Sequence, residues 1–347
     1  MPFLFAQQLF FQHYSEKDGL DAGVITSVEW AEGGLYVGSD QGIYKKTESK
    51  RFKKIGFSNE PEKYITRLDN NAAGRTWACN ASGHIYLVSG EKLTEISLPK
   101  GLKKLLSASL VDQVEFINNS YYISAIIGGG IFQARGDAYS TLTDSLSKAR
   151  FLVLELANGG LISGLSEASQ DNDELMVKFR NGQGLEFMLS EEHYHSKSVV
   201  TRLSEDRYVF SRGREVIIFN QRGVLERRFC DANVEKILQD REGKIWIGFS
   251  EGGLYCFPSG ELSSNNYSRY LARNTVYDMT QDGRGDLWFA TSDGLFSLPK
   301  LEDAVYVAPV FSEKTNTLET TVKVEAETTK SLSVEAMSPF IVFDNSR

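Results

Sequence analysis

The segment Asp240-Arg-Glu-Gly-Lys-Ile-Trp-Ile-Gly248, with Gly253-Leu-Tyr255 close behind it, joins three signals in a few residues. A polar turn runs into a glycine. An aromatic-centred β run follows and ends on a small residue. A second glycine turn then opens another strand, Gly-apolar-aromatic. Glycine permits positive φ in each turn, and a tryptophan at a strand centre fills the space between packed sheets. The same pattern returns as Gln281-Asp-Gly-Arg-Gly-Asp-Leu-Trp-Phe-Ala290 with Gly294-Leu-Phe296.

Earlier copies lie at Gly33–Gly38 with Gly42-Ile-Tyr44, and at Gly74–Cys79 with Gly83-His-Ile-Tyr86. Less regular ones lie at Asn119–Ser124, Gly159–Gly164 and Glu205–Phe210. The anchors are therefore Tyr36, Trp77, Tyr122, Ile162, Tyr208, Trp246 and Trp288, about 42 residues apart. A unit of that length suits a four-stranded antiparallel sheet with short loops, and such sheets set radially make a propeller. The expected fold is all-β: a seven-bladed β-propeller of four-stranded antiparallel blades over residues 9–302. Two residues after each anchor comes Gly38, Cys79, Ser124, Gly164, Gly248 or Ala290, where backbones are expected to approach closely. Phe210 breaks that rule, so the fifth copy should pack differently. An open ring would expose two sheet edges. The aromatic-rich Leu9-Phe-Phe-Gln-His-Tyr14 is expected to close it as the outer strand of the last blade.

Composition agrees. Apolar residues make up 41% and charged residues 24% of 347, with 30 glycines and 7 prolines. The net charge of −8 disfavours nucleic acid as a partner. The basic clusters Lys45–Lys54 and Arg202–Arg228 are interrupted by acids, as solvated strand faces are. Cys79, Cys230 and Cys256 are odd in number and form no C-x-x-C pair, which disfavours a disulfide framework and a zinc site. No apolar run approaches the length of a membrane span.

Val234–Asp240 leading to Trp246 and Gly253-Leu254, and Val276–Asp282 leading to Trp288, Thr291 and Gly294-Leu295, resemble the repeat of the two-component-regulator propeller family. No tryptophan precedes Asp, unlike WD-type repeats, and Asp lies one position off the spacing of sialidase Asp boxes. The opening Phe11–Leu20 also resembles the start of that family's sensor regions. The resemblance covers roughly residues 9–300. It implies a non-catalytic, extracytoplasmic and periplasmic sensor propeller. In that family a β-sandwich, a membrane span and an output module follow. Residues 303–347 are read as the start of such a sandwich, with strands at Thr321–Glu327, Leu332–Ala336 and Pro339–Phe343. The tyrosine-rich strands and the span of the family are not found, so the chain reads as truncated. Residues 1–8 read as the end of a secretory leader.

Chemistry-bearing motifs are sparse. No phosphate loop and no G-x-S-x-G elbow occurs. His193 and His195 share a strand face but lack a third ligand, so no metal and no cofactor is expected. Asp240 and Asp282 precede glycine turns and are read as turn caps. Function is expected in the loops of one face. Hairpins joining second and third strands share an end of the ring with the connections into the next blade. That face offers Asp40, Gln41, Ser82, Arg212, Asn233, Glu251, Arg273, Asn274 and Asp293 as ligand contacts. An oligosaccharide or other small ligand, or a second copy in a homodimer, would suit this polar surface; a membrane would be reached only through a following segment. The alternatives are a protein-interaction scaffold and a carbohydrate-active hydrolase or lyase using channel carboxylates.

Overall fold

The computed structural model describes residues 11–49, 51–56, 63–70, 74–107, 111–117, 119–125, 130–141, 149–155, 161–168, 173–178, 184–188, 198–204 and 206–300, with four short strands between 304 and 324. Four-stranded antiparallel sheets follow one another along the chain. Six have described side chains: blade A (25–55), B (65–95), C (111–141), E (198–229), F (234–270) and G (276–298 with the N-terminal strand). A further four-stranded pairing, D (149–188), is described by its backbone alone. Side-chain packing is thus shown for six blades where the sequence led us to expect seven. The copy anchored at Ile162 rests on strand pairing, and the Ile162 side chain lies outside the described residues.

Blade G is closed by the N-terminus. Gln12–Tyr14 pairs antiparallel with Gly294–Leu298, setting His13 opposite Phe296 and Tyr14 opposite Leu295. Tyr14 then packs 5.3 Å from Trp288 and 5.7 Å from Phe52 of blade A, ring centre to ring centre. First and last copies are therefore joined by one strand and one apolar cluster, which also holds Leu20, Val28 and Leu295.

The repeat residues do the packing the sequence suggested. Tyr36, Trp77, Tyr208, Trp246 and Trp288 are buried, while Tyr122 is only half-buried. In F and G the aspartate fixes the tryptophan directly. Asp240 accepts the backbone N–H groups of Glu242 and Lys244 on Oδ1, and the indole N–H of Trp246 on Oδ2 at 2.8 Å. Asp282 treats Arg284, Asp286 and Trp288 the same way. The Asp-x-x-Gly-x-x-Trp spacing thus places one carboxylate under both a turn and an anchor. Gly243 and Gly285 take φ of 85° and 95° in those turns, a region that suits glycine.

The small residue after the anchor is where the next blade's inner strand presses in. A Cβ on Gly248 would lie 2.8 Å from Val276 Cγ1 and 3.0 Å from the Val276 carbonyl oxygen. One on Gly38 would meet Ser27 Oγ at 2.3 Å and Ile65 Cγ2 at 2.9 Å. Gly248→Val is therefore expected to cost about 1–3 kcal/mol by overpacking the F–G seam. Urea unfolding checks this, and an unchanged midpoint would refute the close approach.

Blade E differs from the others in its inner strand. The inner strands of A, B, C, F and G carry a β-bulge at their first residues, between Ile25 and Ser27 in A and between Val276 and Asp278 in G. In blade E the irregularity sits at the other end, between Arg202 and Ser204. One element has no counterpart in the repeat: helix Lys100–Leu106 buries Leu102 and Leu106 in the B–C cluster.

The chain divides into units 1–299 and 300–347. The second contains two two-stranded pairings, Ala304–Val305 with Lys323–Val324 and Val310–Ser312 with Thr317–Glu319. No β-sandwich is formed among its described residues. The expected strands Leu332–Ala336 and Pro339–Phe343 lie outside them, as do residues 1–8 and the His193–His195 pair.

Candidate functional site: the upper face and the channel

The face bearing the second-to-third-strand hairpins, here called upper, is held together by short backbone bonds. Ala81 N donates to Tyr64 O, Val234 N to Gly213 O, Ser250 N to Asn233 O and Ser292 N to Thr275 O. Thr275 Oγ1 donates to Ser250 O at 2.6 Å, and Thr275 N to Ser292 Oγ. The hairpins of F and G and the connection between them thus form one continuous ledge.

The nine face residues separate into two kinds. Asp40 is a structural acceptor: its Oδ1 takes the N–H groups of Gly23 and Val24. Gln41 is half-buried, with its N–H on Ser39 Oγ. Ser82 is half-buried and donates its N–H to Asn80 Oδ1. Arg212 is buried at 4% exposure and stands opposite Glu215 in the ladder, so it is no loop tip. Asn274 donates from Nδ2 to Thr291 Oγ1. Asn233, Glu251, Arg273 and Asp293 are exposed; the last three lie on the F–G ledge, and Asn233 joins it from the connection into F by accepting the Ser250 N–H on its carbonyl. Asp293 also accepts on its carbonyl from His13 Nε2 at 2.6 Å, which ties the ledge to the closing strand.

Sequence reading missed Tyr64. It immediately precedes the inner strand of B and is 43% exposed, unusual for a large apolar side chain here. Burial first, then the nearby Tyr277 and Asp40, raise its hydroxyl above the ordinary tyrosine range. An exposed aromatic ring thus stands on the upper face at the start of an inner strand, where the Tyr64 carbonyl accepts the Ala81 N–H. The signal for it was a tyrosine placed just before Ile65, outside the alternation of the strand.

Below the upper face, the inner strands of A, B, F and G bring charged side chains into contact. Lys236 Nζ is 2.8 Å from Asp278 Oδ1 and 3.9 Å from Asp69 Oδ2, and Arg67 Nη2 is 2.8 Å from Asp69 Oδ2. Asp278 also accepts the N–H groups of Val28 and Met279. Burial opposes ionisation of Asp69, but Lys236 and Arg67 outweigh it and hold its carboxyl below the usual range. Burial lowers Lys236, and Asp278 with Asp69 more than restores it, so the ammonium stays charged. This network bolts blade B to blade F across the channel. Among the described residues, Asp69 and Asp278 are thus acids engaged by cations.

Other chemistry is scarce. Cys79, Cys230 and Cys256 are buried outside any disulfide, and burial pushes each thiol up to about 12, unlike a reactive thiolate. Among the described residues no group of three or more His, Cys, Asp or Glu could hold a metal, and no helix is long and apolar enough to cross a membrane.

Comparison with known proteins supports this architecture. No curated protein matches the sequence. Among solved structures, a streptogramin B lyase superposes with a TM-score of 0.63 at 14% identity, covering 84% of this chain and 97% of that one. Extracellular domains of two putative hybrid two component systems of B. thetaiotaomicron, BT3049 and BT4673, superpose with TM-scores of 0.62 and 0.61 at 15% and 11% identity. They cover 92% and 88% of this chain, which spans only 46% and 41% of theirs. At such identities these likenesses establish the propeller fold. Within that fold, residues 270–293, from the end of blade F through the Trp288 anchor, match the two component regulator propeller model, so this stretch is similar to the repeat of that family.

Proposed function

We propose that this chain is the non-catalytic, ligand-receiving propeller of an extracytoplasmic sensor, with residues 149–188 as the seventh blade of its ring. The inner strand of D runs beside those of C and E, which supports that count. The observation that carries the reading is the exposed Tyr64 at the start of the inner strand of B, above a channel filled by paired charges. A ligand entering from the upper face meets an aromatic ring and the polar F–G ledge. Aromatic faces with a few fixed polar groups suit hydroxyl-rich molecules such as oligosaccharides. The two-component family supports signalling as the output, across a periplasmic membrane to which the protein is tethered elsewhere in its chain. Signalling then requires the ligand to favour one conformation or assembly, such as a homodimer, over another.

The test is a thermal-shift titration of the purified chain against neutral and uronic-acid oligosaccharides from di- to hexasaccharide. The reading expects a saturable rise in melting temperature with at least one of them. Tyr64→Ala with Arg273→Ala should weaken the apparent affinity about tenfold or more, the effect of losing roughly 1.4 kcal/mol of contact. Absence of any shift, or turnover of a saccharide, would overturn it.

A further inference from the structure

Glu29 stands at the centre of the channel network and has no part in the ligand-receiving face. Its Oε1 accepts from Asn70 Nδ2 of blade B at 2.9 Å, from Thr280 Oγ1 of blade G at 3.4 Å and from the Trp30 N–H at 3.2 Å. Asn70 Nδ2 also donates to Trp30 O, and Thr76 Oγ1 donates to Asn70 Oδ1, so the amide is fixed in that orientation. One carboxyl oxygen therefore gathers donors from three blades. The charged groups around it are Asp69 and Arg67 on B, Asp278 on G and Lys236 on F; its own strand adds none, and Tyr36 lies opposite it in the ladder. Two carboxylates share Lys236 before Glu29 can claim it.

We propose that Glu29 is a proton-operated latch across the channel: neutral, it is held by Asn70 and Thr280; ionised, it draws Lys236 away from Asp69 and Asp278. The ionised form would loosen the bolt between blades B and F and so soften the ring. Burial first, then the negative Asp69, lift the Glu29 carboxyl well above the usual range, with Asp278 adding to them and Lys236 opposing. The folded chain therefore binds a proton here that the unfolded chain has already released. This contribution to stability is full below the ordinary glutamate range and fades as pH rises through the folded titration.

The experiment compares melting of the intact wild-type chain with Glu29→Gln between about pH 5 and pH 8. Glutamine keeps the acceptor and removes the titration. The wild type should lose about 2 °C per pH unit relative to Glu29→Gln until its carboxyl ionises. Asp69→Asn removes a neighbouring negative charge, so in that background the relative loss should end at lower pH, which a purely structural Glu29 would not show. The wild type alone gives a second readout: a neutral-carboxyl infrared band that persists above the ordinary glutamate range. Parallel melting curves for wild type and Glu29→Gln, an unmoved end point in Asp69→Asn, or no such band would each overturn the latch.

Discussion

A chain lacking residues 1–18 melts about 10 °C or more below the full chain, or loses its cooperative melt. The removed segment holds the strand Gln12–Tyr14, which completes blade G. Its loss leaves Gly294–Leu298 as a bare edge. It also strips Tyr14 from between Trp288 and Phe52, and Phe11 from beside Phe289 and Tyr270. Truncating even one large buried side chain costs about 2–5 kcal/mol, and the cluster joining G to A loses its centre. The exposed edge should also promote association, visible as earlier elution in size exclusion. Tyr14→Ala, which keeps the ladder, should fall between the two. A truncated chain with the full-length melting curve would show that the ring does not depend on this closure.

The repeat was legible because each copy must solve the same packing problem with the same residue types. Trp246 and Trp288 are buried because Asp240 and Asp282 satisfy their indole N–H groups, and that pairing forces a fixed spacing. The closing strand was legible from the aromatic density of Leu9–Tyr14. The face residues were legible only in part. Asp40 and Arg212 look like solvated loop tips in sequence, yet one caps the chain entering blade A and the other is buried in a ladder. Nothing local distinguishes a carboxylate that binds its own backbone from one that faces water. The channel network was not legible at all. Ser27, Arg67, Lys236 and Asp278 occupy one position of the inner strand just past the bulge, and Glu29, Asp69 and Thr280 another. Their chemistry differs from copy to copy, so they register as irregularity in the repeat. Ring closure alone brings Val28 to Asp278 across 250 residues of sequence.

Lys236→Met tests that network most severely. Asp278 is 1% exposed on its side chain and has its ion pair with Lys236. Removing one partner of a buried pair costs about 3–5 kcal/mol, because the remaining charge stays desolvated. The Val28 and Met279 N–H groups still reach Asp278, so the lower end of that range is expected in urea unfolding. Adding Asp278→Asn removes the stranded charge but spares only one carbonyl oxygen for two N–H donors, so it should recover part of the loss. A double-mutant coupling below about 0.5 kcal/mol would mean that the two residues act independently. A large coupling would make the crossing ammonium a determinant of how blades B, F, G and A sit around one axis, a task the blade-to-blade apolar seams leave open because each joins only immediate neighbours.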